Sequence, residues 1–472
     1  MIRDSGRKVV SLFLPRLLMI AAGLLYAWIL HFAHGGFLNE AWGYYGFLYR
    51  EPTSLEAVSI ALAVVLGSAV VPKFVWRPSS AVLLLLFVVV YVPTVVITPC
   101  LGEWWLQDYG AALLSLCLSF SAACIAVNQQ RLVRPASAAL PDPVFAASLL
   151  IAWMLACAAL LYNYASIMTF AGLEAVYEQR ALGTSTSLGL GYLQTYFSTV
   201  LSPALLALGL VNRRNGFAVL GTLGCLLMYA ITAQRTVFLL PLVIIAFHFI
   251  QRSRTPFLKT SALPVVAVAL TVLVAALFYS ENEVAALLST YLVFRTLAIP
   301  GLTFSQYWDV FSSEGFTYWS HVRGVEFLVE PPRSLAADPS WPGLGYIIGD
   351  RLYANPANNV NANLFSGDGV AAAGALGVLL IGLLLAIWLV LLDRSSVRWN
   401  RQFALLVTLP IGLSLTNGHF TTTLLSFGGL FWLVIFYFWP VFARQFTGKA
   451  NENRNALRLL QRSVGVSGKP SG

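Results

Sequence analysis

"FAVLGTLGCLLMYAITAQRTVFLLPLVIIAFHFI", residues 217–250, consists of two apolar runs joined by a short polar turn that carries one arginine, Arg235. Each run is about 15 residues, or roughly 22 Å as helix. The hydrocarbon core of a bilayer is about 30 Å thick. The hairpin therefore cannot lift Arg235 clear into outside water and is expected to hold it at the level of the outer leaflet, in a cavity lined by protein. An ionisable side chain at that depth is costly and marks a functional position by default. The competing structural reading is an arginine snorkelling to headgroups from a tilted helix end.

The same pattern extends over the chain. Of 472 residues, 58% are hydrophobic and only 10% are charged, with a mean hydropathy of +0.75. Soluble domains carry roughly 25% charged residues. Apolar segments near 12–33, 55–72, 80–98, 110–127, 144–163, 195–211, 217–231, 237–250, 261–279, 370–392, 403–418 and 424–441 predict an all-α polytopic membrane protein with about 12 transmembrane helices. The basic start (Arg3, Arg7, Lys8) leads into a run long enough to span, without a small-residue cleavage site, so it reads as the first membrane helix. Residues 1–441 are expected to form a single membrane domain, and 442–472 a short, basic, disordered tail.

The net charge of +9 follows from topology. With the amino terminus inside, 22 of the 29 Lys and Arg residues, including every lysine, fall on the cytoplasmic side. That bias sets the orientation, with both termini cytoplasmic, and removes the need for a nucleic-acid partner. Sixteen of the twenty acidic residues then lie outside, beside seven basic ones: Arg50, Arg180, Arg235, Arg295, Arg323, Arg333 and Arg351. Arginine suits planar, bidentate binding of phosphate or carboxylate. The five cysteines lie in spans or at a span edge without metal-ligand spacing, which argues against a disulfide framework or a zinc site.

Two outer segments are enlarged, 164–194 and 280–369. In the first, Arg180 and Gly191 flank a polar stretch (Thr184 to Ser187) able to fold over an anion or a sugar; an ordinary outer loop is the plainer reading. The second is too long for a connector. Its mixed aromatic and charged stretches (Tyr291 to Trp308, Phe316 to Phe327) predict short amphipathic helices on the membrane surface. It ends in "YANPANNVNANLFSGDGVAAAGALGVLL", residues 353–380, where Asn361 and Asn363 supply donors and acceptors suited to sugar hydroxyls and Asp368 approaches a helix start. His321 in "FTYWSHVRG" and His419 in "TNGHFTT" are lone outer histidines, each more often structural than catalytic. Glu281 and Glu283 resemble an acidic metal pair but stand without further closely spaced acids, so neither a metal nor a cofactor is expected. No P-loop or Rossmann glycine pattern is present.

This layout, the Arg–ten residues–Gly spacing of Arg180 and Gly191, the "TAQRT" turn and the Asn/Gly-rich exit from the second loop resemble the Wzy-type O-antigen or oligosaccharide repeat-unit polymerases. In the second loop none of Arg295, Arg323, Arg333 or Arg351 has a glycine at that spacing, which the family's better-described members repeat there. The resemblance implies a GT-C-like fold in the bacterial inner membrane and metal-independent glycosyl transfer at the periplasmic face. The donor would be a glycan on undecaprenyl pyrophosphate, the acceptor a lipid-linked repeat unit, with membrane lipids and a chain-length regulator protein as further partners. It implies catalytic roles for Arg180, Arg235, Arg295 and His321, and substrate binding by Gly191, Arg323, Arg351, Asn361, Asn363 and Asp368. The rivals are an O-antigen ligase acting on lipid A core, for which His321 would be the base, and a lipid-linked sugar transporter. The transporter reading predicts charges deep in several spans, which the sequence lacks.

Overall fold

The computed structural model describes residues 2–102, 108–132, 141–169, 179, 183 and 188–442. Every named element among them is helical, with one isolated bridge, Phe74 to Thr260. Thirteen apolar helical segments can be numbered in chain order: α1 Ile2–Ala33, α2 Ser54–Val70, α3 Pro78–Cys100, α4 Gly110–Gln129, α5 Pro143–Tyr164, α6 Gly189–Asn212, α7 Asn215–Thr232, α8 Arg235–Arg252, α9 Ala262–Phe278, α10 Glu283–Glu314, α11 Phe365–Arg398, α12 Arg401–Thr416, and α13, a bent pair Phe420–Ser426 and Gly429–Phe442. Among the described residues, nine helices are long and apolar enough to cross a membrane, or ten with the bent pair; α2, α9 and α12 are shorter apolar helices. Each of the twelve expected segments coincides with one of these helices. This is a polytopic membrane protein by length and composition.

Local chemistry sets the helix ends. Thr53 and Glu56 form a reciprocal capping box at the start of α2, which satisfies two orphan backbone donors at once. Asp142 caps α5 ahead of Pro143, and Asn400 caps α12. Between helices, small residues allow backbones to meet. A Cβ on Gly221 would sit 2.3 Å from the Leu206 backbone nitrogen, so α6 and α7 pack at glycine distance.

Contacts sort the helix ends into two groups. At one end, Arg77 reaches the Val127 carbonyl, Arg401 the Trp76 carbonyl and Arg16 the Val71 carbonyl. There the Ser79 hydroxyl donates to Asp393 at 2.6 Å. At the other, Arg50 pairs with Glu56 at 2.7 Å, Tyr279 donates to Glu40 at 2.7 Å, and Tyr109 donates to Asp309 at 3.4 Å. The first end is rich in Lys and Arg, the second in acids.

α10 differs from expectation. Residues 283–314 form one helix of 32 residues, with a π-helical stretch Ser289–Ala298, instead of short surface helices. Its apolar side is buried in protein: Val293, Phe294, Leu297 and Leu302 are all core residues. Although α10 is long enough to cross, its turns at Ser289 and Gly301 both meet the acid-rich ends of neighbouring helices. Ser289 donates to the Ala275 carbonyl in the final turns of α9, and Thr98, at the close of α3, donates to the Gly301 carbonyl at 2.8 Å. Residues 316–327 form turns, followed by short helices Arg333–Ala336 and Leu344–Tyr353. The tail beyond 442 lies outside the described residues.

Candidate functional site

The site is built on a broken helix. α11 opens with a π-helical turn, Phe365–Val370. The helix is then interrupted at Ala373 (φ −156°, ψ 32°) and Gly374 (φ 57°, ψ −136°). Glycine is required at 374: its φ is left-handed, and a Cβ would lie 2.9 Å from the Phe316 ring. The break frees backbone carbonyls, and the 316–319 turn uses them. Thr317 N–H donates to the Ala371 carbonyl at 2.9 Å and Tyr318 N–H to the Ala372 carbonyl at 2.8 Å. Broken helices at membrane depth persist where protein satisfies the freed groups in this way. Tyr318 (φ 46°) and Trp319 (φ 61°) are themselves left-handed, a conformation that costs about 1–3 kcal/mol for such residues and clusters at functional sites. The turn delivers His321 to the start of α11.

There His321, Asp368 and His419 meet. Asp368 is fully buried. Its Oδ1 lies 3.3 Å from His321 Nε2 and 3.3 Å from His419 Nδ1. Its Oδ2 accepts from the Thr421 N–H at 2.8 Å and the Thr421 hydroxyl at 3.0 Å. Gly367 makes room for the second imidazole, since a Cβ there would fall 2.7 Å from His419 Nε2.

Proton bookkeeping separates the two histidines. An ionised Asp368 is an acceptor only, so a neutral His321 must turn Nε2–H toward it. His321 Nδ1 then accepts from the Thr317 hydroxyl at 2.8 Å, and both ring nitrogens are occupied. His419 offers Nδ1–H to the same carboxylate oxygen. Its Nε2 keeps a lone pair with no hydrogen-bond partner among the described residues, and its side chain is 23% exposed against 3% for His321. A carboxylate that fixes one imidazole nitrogen and leaves the other basic and open is the arrangement of a general base. By geometry His419 is the histidine with a nitrogen left free to take a proton, whereas both nitrogens of His321 are engaged by Asp368 and Thr317.

The three side chains also bring one donor atom each within 4.8 Å of one another. Spacings of 3.3 Å match neighbouring ligands around an ion with bonds of about 2.0–2.2 Å, so these residues are where a divalent ion would be held.

Burial pushes the His321 pKa down, a shift only partly opposed by its bond to Asp368. Folded His321 therefore binds fewer protons than unfolded histidine, whose pKa is about 6.5. As pH falls below that value the unfolded chain gains protons that the fold refuses, so stability falls. The thermal midpoint of the detergent-solubilised protein should drop between about pH 7 and pH 5, and His321→Gln should shrink that drop. An equal drop in the variant would count against the assignment.

The remaining predicted residues are dispersed. Arg235 is the first residue of α8, following Ala233 in a left-handed turn (φ 49°). It is half-buried, its guanidinium lies 4.2 Å from the Tyr291 ring centroid, and its buried Nε has no hydrogen-bond partner. Arg295 is exposed four residues along α10 from Tyr291, over the Phe294 ring at 5.0 Å. Two sequence-predicted arginines thus address one stretch of α10. Arg351 is closed by Glu314 at 2.7 Å and by Asp338 and Asp350 at 3.0 Å, so its donors brace the loop. Asn363 is buried and accepts from the Phe365 and Ser366 N–H groups, capping the turn that carries Asp368. Asn361 and Arg323 are exposed, and Gly191 lies within α6. Arg180 is outside the described residues. His419 and Thr421 were missed as partners of Asp368 because their pairing is tertiary.

Comparison with protein-family models, curated proteins and solved structures returns no match.

Proposed function

We propose that this protein is a membrane glycosyltransferase that moves a glycan from undecaprenyl pyrophosphate onto a sugar hydroxyl, joining lipid-linked repeat units into a surface polysaccharide. The observation that carries this reading is the Asp368-held His419, whose Nε2 lies without a hydrogen-bond partner beside Gly367 in the opening turn of α11. The acceptor hydroxyl gives its proton to His419 Nε2 as its oxygen bonds to the anomeric carbon of the donor. The anomeric C–O bond to pyrophosphate breaks, and the leaving group keeps the electron pair. Arg235, half-buried with an unpartnered Nε, supplies fixed positive charge where that negative charge develops. No ATP is needed, because the broken bond drives the transfer.

In this reading twelve segments cross, α10 stays at the acid-rich end, and that end faces the periplasm of a bacterial inner membrane with both termini cytoplasmic. The basic end supplies the orientation. A reporter active only in the periplasm should be active when fused after residue 340 and silent after residue 256. The reverse pattern would invert every outside assignment.

A ligase is the second reading, favoured by the same positioned base. The acceptor decides. Purified protein given only lipid-linked repeat units should yield a ladder of lengths. A ligase would yield none until lipid A core is added. A transporter would form no product with either acceptor.

A further inference from the structure

We propose that the protein carries a second, separate carbohydrate site, a tyrosine-walled pocket on the face of α10 turned away from Asp368, which holds one uncharged sugar ring. A cavity of about 290 Å³ opens there, lined among others by Tyr44, Tyr45, Tyr109, Gln306, Asp309 and Tyr353. That volume is at the low end of ligand pockets, roughly 300–1,000 Å³, and suits one small polar ring. The helix contributes Leu302, Ser305, Gln306 and Asp309, whereas Tyr307 donates to the Val360 carbonyl and Trp308 packs beside Gly374, on the side of the α11 break.

Hydrogen bonds fix the wall of the pocket. Tyr353 donates its single hydroxyl proton to the Tyr45 carbonyl at 2.9 Å. It must therefore accept from Gln306, whose Nε2 lies 2.6 Å away, and this fixes which end of the amide faces it. Gln306 Oε1 is left as a buried acceptor with no partner, on a side chain 93% buried (7% exposed). The amide is thereby fixed, with Nε2 toward Tyr353 and Oε1 sealed inside the protein, and it braces the tyrosine wall of the pocket. Tyr45 and Tyr353 stack at 4.9 Å, and Tyr44 is 79% exposed at the mouth. Such rings offer apolar faces to sugar C–H groups and hydroxyls at their edges. Asp309 is the one charged group among the lining residues. It can accept from sugar hydroxyls and repels carboxylated sugars.

The pocket is not the place of bond formation, so it contributes binding that is equal in ground and transition states. Such binding sets KM and leaves kcat alone. The kinetic arm rests on the glycan-transfer reading; the binding arm does not.

Intrinsic fluorescence of the purified full-length protein, titrated with neutral disaccharides and their uronic-acid counterparts, reads the pocket directly. Neutral sugars should bind, and uronic acids should bind about tenfold more weakly or not at all. Asp309→Leu and the surface change Tyr44→Ala should each weaken neutral-sugar binding about fivefold or more at unchanged thermal midpoint. In the transfer assay the same variants should raise KM by a similar factor with kcat unaltered. Sugar binding without any transfer product would support the pocket and refute the proposed function. Transfer with unchanged KM, and no binding of neutral sugars or binding indifferent to both substitutions, would overturn the pocket.

Discussion

Replacing His419 with alanine should lower glycosyl transfer by about 10²–10⁴-fold, the usual range for a positioned general base. The reason is geometric. Asp368 orients His419 through Nδ1 and leaves Nε2 open, so no other group on the described chain replaces it there. Asp368→Asn should cost about as much, because a carboxamide can turn an N–H toward the imidazole and select the wrong tautomer. His321→Gln should cost less, since His321 acts by holding Asp368 and its own nitrogens are taken by Thr317 and Asp368. Fold integrity is checked by thermal midpoint. Full activity in His419→Ala together with a dead His321→Gln would return the base to His321, where the sequence placed it.

The second large effect is at Arg235. Arg235→Lys keeps the charge, yet most of the polymer should be lost, because a point charge cannot reproduce a bidentate phosphate contact. Arg235→Ala should reduce the rate by about 10²–10³-fold, as removal of one preorganised oxyanion donor does. The tyrosine beneath the guanidinium offers a control. Tyr291→Leu removes the ring 4.2 Å from the cation and should have a smaller effect, because the phosphate-binding donors remain. Full-length product at normal protein abundance in Arg235→Lys would exclude Arg235 from pyrophosphate stabilisation.

Much of the architecture was legible because lipid imposes a length on apolar segments. Each expected segment is helical, and the basic residues collect at one end. α10 was not legible as a long helix: its aromatic and charged residues read as surface amphipathicity, whereas tertiary packing buries Val293, Phe294 and Leu297, with Phe294 held against Trp42, Tyr45 and Phe47. The α11 break was half visible in Gly367, Gly369 and Gly374, but the glycines alone do not say which carbonyls the 316–319 turn will use. His321 and Asp368 were both chosen from sequence, and the fold joins them. His419 was noted and set aside, since its turn gives no periodic signal and its partner lies in another helix. Arg351 and Asn363 are the converse case. Their chemistry suits a ligand, but nearby carboxylates and backbone amides already use it.

The proposed glycosyl transfer uses imidazole and arginine, not a metal. Its most direct test is the length ladder formed by purified protein and lipid-linked repeat units in excess chelator. The ladder should be undiminished in chelator and should vanish in His419→Ala. A ladder lost in chelator and restored by magnesium, manganese or zinc would show that His321, Asp368 and His419 hold an ion, and would contradict the mechanism.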